Sequence, residues 1–139
     1  MPNDINTEVS KANALNATGA QLFGQGQLEA ARLHFLAALS VEPNHCQALQ
    51  NLGAVLRNLG YHEASASVAR RAVRVSDNNP FCLSNLGVAE LSLRHHAEAL
   101  ALLKSVVDAM PNSAPSWHNY GLVLYMVGRR EEALVAFDT

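Results

Sequence analysis

A glycine returns every thirty-four residues along this chain, at Gly19, Gly53, Gly87 and Gly121. Four residues before each stands a large apolar side chain: Leu15, Leu49, Leu83 and Trp117. A period of this length is one supersecondary unit that cannot bury its apolar face alone, so the chain must stack its units side by side. Within the period, apolar residues recur at helical spacing (Leu49, Leu52, Leu56; Leu83, Leu86; Trp117, Tyr120, Leu124). A breaker follows at Gly26, Gly60 and Gly128, and a second helical run begins after it. That run carries a small residue in register (Ala31, Ser65, Ala99, Ala133), then a bulkier one four residues on (Phe35, Leu103, Phe137), with Ala69 in the second copy. Complete copies close on Pro43-Asn44, on Asp77-Asn78-Asn79-Pro80 and on Pro111-Asn112.

A glycine inside a helix costs about 1 kcal/mol relative to alanine, so four in register require a reason. The expected reason is close packing, each glycine facing the small residue of the second helix. Trp117 is expected to be buried by the same pattern.

Trp117, Tyr120-Gly121, Leu124, Ala133 and Phe137 stand at the spacings of the tetratricopeptide repeat signature, and the chain resembles that family over nearly its whole length. Residues 1–11 form a lead-in, 12–45, 46–79 and 80–113 complete repeats, and 114–139 a partial fourth. The resemblance implies an all-α fold, a tetratricopeptide-repeat solenoid of antiparallel helix pairs wound into a right-handed superhelix. The sequence departs from the pattern at Glu90 (an apolar position), Arg94 (the turn glycine) and Asp77 (the proline), which puts the local packing of the third repeat in question. Asp4 or Asn6 is expected to cap the first helix through a side-chain oxygen.

Composition limits the partners. A net charge of -2 and a pI near 6.3 give no general attraction to nucleic acid or to an anionic membrane. Arg57, Arg70, Arg71 and Arg74 form the one dense basic cluster, read as a solvated outer face. The N-terminal residues lack the basic flank and apolar run of a signal peptide, and no apolar stretch approaches the ~18 residues of a membrane span. Cys46 and Cys82 occupy different repeat positions without framework spacing, which points to a reduced, cytoplasmic protein. The glutamates Glu29, Glu63, Glu98, Glu131 and Glu132 sit where second helices begin, facing the positive end of the helix dipole, and are structural.

Catalytic signals are absent: there is no phosphate loop, nucleophile elbow, HExxH or CxxC pattern. Neither a cofactor nor a metal is implied. His62 and His96 share a repeat position, with His95 beside the latter, but equivalent residues of adjacent repeats lie on the order of 10 Å apart. A zinc ion needs three or four ligands at ~2 Å, so these are expected to be exposed turn histidines.

Asn51, Asn85 and Asn119 follow two residues after the apolar anchors, about 200 degrees around a helix, and so point away from the packing face. Asparagine is a poor helix-interior residue, and a carboxamide can both donate to and accept from a peptide group. The ladder has two readings, peptide contact or bonds between neighbouring helices. The family resemblance places this stripe on a concave groove that holds extended peptides. Around it the first two repeats are polar (Asn13, Asn16, Gln47, Gln50, Arg57, Asn58), and the last two apolar (Phe81, Val88, Leu91, Leu122, Tyr125, Met126), although Leu91 and Leu122 also suit an inter-repeat core. Tetratricopeptide domains that clamp the carboxylate tails of chaperones use Lys and Arg here, and this stripe offers Arg57 alone. The expected partner is therefore an extended peptide or protein segment, uncharged or apolar.

The given chain stops at Asp138-Thr139, partway through a second helix and without a polar capping helix. Three functions are compatible: a non-catalytic protein- or peptide-binding scaffold, the substrate-recognition arm of a larger enzyme resembling O-linked N-acetylglucosamine transferases, or a self-assembly module pairing through Ala133, Leu134 and Phe137.

Overall fold

The computed structural model describes residues 4–139, with side chains from residue 6. Eight helices fill these residues, and no strand occurs among them: α1 (Asp4–Gly24), α2 (Leu28–Val41), α3 (Cys46–Asn58), α4 (His62–Val75), α5 (Pro80–Ser92), α6 (His96–Ala109), α7 (Ala114–Met126) and α8 (Arg130–Phe137). Helix α1 already contains Asn6, which is therefore not its cap, and the side chain of Asp4 lies outside the described residues. Residues 4–11 continue straight into the first repeat as helix.

The two helices of a repeat start differently. The odd-numbered helices from α3 onward are capped by side chains: His45 Nδ1 accepts from the Ala48 N–H at 3.0 Å, Asn79 Oδ1 from the Phe81 N–H at 2.9 Å, and Ser113 Oγ from the Ser116 N–H at 3.3 Å. The even-numbered helices have no side-chain cap bond and instead place Glu29, Glu63, Glu98 or Glu131 in the first turn, where a carboxylate offsets the exposed N–H groups. Turns within repeats need a left-handed residue, supplied by Gly26 (φ 78°), Gly60 (φ 89°) and Gly128 (φ 87°). In the third repeat Arg94 adopts φ 63° at that position, a conformation that costs a side chain roughly 1 to 2 kcal/mol.

The packing reason for the glycines holds, but their partner is not the small residue. A Cβ on Gly19 would lie 2.6 Å from the Phe35 ring, one on Gly87 2.7 Å from Leu103, and one on Gly121 2.6 Å from the Phe137 ring. Each glycine makes room for the bulky side chain four residues after the small one. The second repeat is the exception: Ala69 stands in the bulky position, the nearest atom to a Cβ on Gly53 is the Ser65 carbonyl at 3.8 Å, and Ser65 Oγ donates to the Gly53 carbonyl at 2.8 Å. The missing bulk leaves a cavity of about 10 Å³ bordered by Leu49, Gln50, Gly53, Arg57, Ala69 and Asn85, room for about one water. Trp117 is half-buried, donating from Nε1 to the Pro111 carbonyl at 2.8 Å and lying tilted against Tyr120.

Each helix packs on the next in sequence, and α1–α3, α3–α5 and α5–α7 also touch, whereas among the described residues no two even-numbered helices do. The odd helices are thus drawn together on one side and the even helices splay on the other. That difference bends the stack, with α1, α3, α5 and α7 as its inner wall.

Candidate binding groove

The inner wall carries the stripe singled out in the sequence, and its two ends are unlike. In the first repeats the amides bond to one another. Asn51 Nδ2 donates to Asn16 Oδ1 at 3.0 Å, and His45 Nε2 meets Asn13 Oδ1 at 2.7 Å. Because His45 Nδ1 accepts from Ala48, Nε2 carries the ring proton and is the donor to Asn13. Asn51 keeps its carbonyl oxygen and one N–H. Asn85 and Asn119 are half-buried, and among the described residues neither amide has a hydrogen-bond partner or is cut off from solvent. The ladder therefore divides: its first rung is joined to the neighbouring helix, its next two are open.

The apolar positions divide as well. Phe81 is 62% exposed, Tyr125 57%, Met126 50% and Leu122 37%. Val88 is half-buried, and so is Leu91, which packs against the Ala99, Leu103 and Val123 core. Arg130 stacks over the Tyr125 ring at 5.8 Å. Gln47, the second residue of α3, is exposed.

Arg57 is half-buried at the edge of the small cavity, next to Asn85 and Gln50, and among the described residues no side chain pairs with it. Burial alone pulls its guanidinium below the usual range. Arg70, Arg71 and Arg74 lie on α4, away from the inner wall, and all three are exposed. Arg70 donates to Glu90 Oε1 at 2.7 Å, and Arg71 reaches Asn44 at 3.3 Å. Glu90, the polar departure in the third repeat, is buried, and His95 Nδ1 meets its second oxygen at 2.6 Å. Desolvation would raise this carboxyl, but the hydrogen bonds from His95 and Arg70 outweigh it and hold Glu90 below the ordinary carboxylate range. Sequence reading missed the pair because Arg70 and Glu90 lie on different repeats. The signal was an acid at an apolar position.

His62 and His96 open α4 and α6, and they are half-buried rather than exposed. His62 Nδ1 and His96 Nε2 are shut off from solvent without a partner, and no cluster able to hold a metal ion occurs among the described residues. The cysteines are the other surprise. Although they differ in repeat position, Cys46 and Cys82 bring their sulfurs to 3.8 Å. At the far end Trp117, Tyr120, Leu124, Val135 and Ala136 line an open, largely apolar hollow of about 220 Å³, with Leu134 and Val135 exposed beside it. No helix among the described residues is long and apolar enough to cross a membrane.

A helix-hairpin stack with this signature and inner wall is a tetratricopeptide-repeat solenoid, and solved structures agree. MamA (41-end) from Desulfovibrio magneticus RS-1 superimposes with a TM-score of 0.80 at 23% identity, covering 91% of this chain and 71% of that one. The first tetratricopeptide domain of Spaghetti (RPAP3), solved bound to the HSP90 peptide SRMEEVD, gives 0.81 at 19% identity over 85% of this chain and 94% of that one. YrrB, described as a tetratricopeptide protein with an unusual peptide-binding site, gives 0.79 at 22% over 99% and 70%. The family is the bacterial transcriptional activator domain, whose model matches residues 7–139, and the chain belongs to it. No curated protein matches the chain by sequence.

Proposed function

We propose that this is a non-enzymatic module of the bacterial cytoplasm that holds an extended, uncharged or apolar segment of a partner protein along its inner wall. The observation that carries the reading is the juxtaposition of Asn85 and Asn119, whose amides are open, with exposed Phe81, Leu122, Tyr125 and Met126. The amides can pair with a peptide backbone while the apolar side chains take alternate side chains of the segment. Asn51, Gln47, Val88 and Arg57 extend the wall. Arg57 supplies donors to peptide carbonyls without requiring a charged ligand. The peptide-bound RPAP3 domain and YrrB, described as having a peptide-binding site, support the mode of use. The family description, together with a net charge of -2, supports a regulatory context in which the module contacts protein rather than DNA, and favours it over the transferase arm.

The test is selection of binders from a displayed library of unstructured peptides, followed by titration calorimetry against the Asn85→Ala/Asn119→Ala double variant. At about 1 kcal/mol per hydrogen bond, affinity falls by a few kcal/mol at most while the fold is retained. Equal affinity in the double variant removes the amides from the site. The hollow beside α8 with Leu134 and Val135 exposed supports a second reading, pairing of copies through that end. A strict monomer by light scattering at high concentration contradicts it.

A further inference from the structure

The thiol pair has no part in the binding just described. Cys46 is the first residue of α3 and Cys82 the third of α5, on neighbouring inner-wall helices 36 residues apart in sequence. Their sulfurs are 3.8 Å apart, and Gln50 Nε2 donates to Cys46 Sγ at 3.5 Å. The two differ in access: Cys82 is fully buried, whereas Cys46 is partly open to solvent. We propose that Cys46 and Cys82 are a thiol oxidation site, forming an intramolecular disulfide with peroxide or a low-molecular-weight disulfide and thereby clamping the second repeat to the third.

The division of labour follows from access. Cys46 meets the oxidant. With hydrogen peroxide, the Cys46 thiolate attacks the O–O bond, giving a sulfenic acid and hydroxide. Cys82 then attacks the Cys46 sulfur, the S–S bond forms, and the departing hydroxyl leaves as water with the Cys82 proton. The released hydroxide takes up the proton Cys46 gave up. Two thiols are thus oxidised by two electrons and one peroxide becomes two waters. With a glutathione-type disulfide, Cys46 forms the mixed disulfide and Cys82 displaces the second thiol. Burial pushes the Cys82 thiol up, against a hydrogen bond from Ser76, which suits it to the second step rather than the first.

A disulfide needs its sulfurs at about 2.0 Å, so oxidation draws together the N-terminal ends of α3 and α5. Gln47 and Phe81 are chain neighbours of the two cysteines, and Gln50 loses a thiol partner. If the groove reading is right, the oxidation state adjusts this part of the wall.

The experiment treats the whole chain with a small excess of hydrogen peroxide, and separately with glutathione disulfide, then alkylates in denaturant and weighs the product. The expected product is a monomer lighter by two hydrogens, with neither cysteine alkylated, restored by dithiothreitol. Its thermal midpoint is higher by roughly 5 to 10 °C. Side-chain amide resonances of Gln50 shift while those of Asn119 do not. Under peroxide Cys82→Ala traps a sulfenic acid at Cys46, and under glutathione disulfide a mixed disulfide there. Two alkylatable thiols after treatment, crosslinks between chains, or sulfinic acid at Cys46 with Cys82 free overturns the proposal. None of these readouts needs a peptide, so failure of the groove reading leaves the test intact.

Discussion

The first half of the inner wall and the second half are built from the same repeat positions and do different things. In the first, His45 bonds to Asn13 and Asn51 to Asn16, joining the start of α3 and its first turns to α1. In the second, Asn85 and Asn119 stay open between Phe81, Leu122, Tyr125 and Met126. The difference comes from the neighbours. Asn16 on α1 receives the Asn51 amide of α3, whereas no described side chain does the same for Asn85 or Asn119. A repeated residue is thus a structural bond in one place and an available donor in another.

That contrast can be broken most sharply at the ligand. Tyr125→Ala with Met126→Ala is expected to weaken a selected peptide by about 2 kcal/mol or more, as truncation of aromatic anchors does. Gln47→Ala is expected to cost under about 1 kcal/mol, the scale of one net hydrogen bond. Calorimetry on both variants decides it, and equal losses would erase the distinction between halves.

Glu90 joins the halves, since its partner Arg70 belongs to the second repeat. Glu90→Ala should lower unfolding free energy by about 1 to 3 kcal/mol, because it removes the hydrogen bonds that Arg70 and His95 make to this buried carboxylate and leaves a space in its place. The folded-state pKa of Glu90 is depressed, so its contribution is present above the unfolded carboxylate pKa and fades as pH falls through the folded one. Denaturant melts at pH 7 and in the acid range should show the wild-type advantage over Glu90→Gln shrinking on acidification; an advantage that is constant or grows would contradict the pairing.

Packing within the repeats gives a signed pair. Gly87→Ala should destabilise by about 1 to 3 kcal/mol, since its Cβ would strike buried Leu103. Gly53→Ala meets nothing closer than 3.8 Å and should stabilise by up to about 1 kcal/mol through helix propensity. Urea melts of the two variants should move in opposite directions. The smallest effect is at Arg94, where Arg94→Gly should gain about 1 kcal/mol by relieving its left-handed backbone. An unchanged midpoint there would mean that Arg94 earns its conformation by contacts of its own.

The architecture was legible in the sequence because a thirty-four-residue period fixes which helices stack. Helix pairs, turn glycines and first-turn glutamates all follow from local spacing. What spacing could not show was pairing across repeats. The Asn16–Asn51 bond, the Arg70–Glu90 ion pair and the Cys46–Cys82 contact each depend on how one unit is rotated on the next. The glycine partner differs from the expected one for a related reason: a small residue in register suggests small against small, but the space goes to Phe35, Leu103 and Phe137. Asn85 and Asn119 stand out in the sequence by register alone, and that their amides are open among the described residues is visible only with their neighbours in place.

The most direct test follows the side-chain amides of asparagine by nitrogen-15 NMR while a selected peptide is added. The account predicts large shifts at Asn85 and Asn119, smaller ones at Asn51, and none on the outer face formed by α2, α4 and α6. Shifts confined to that outer face, or amides of Asn85 and Asn119 that do not move at saturation, would contradict it.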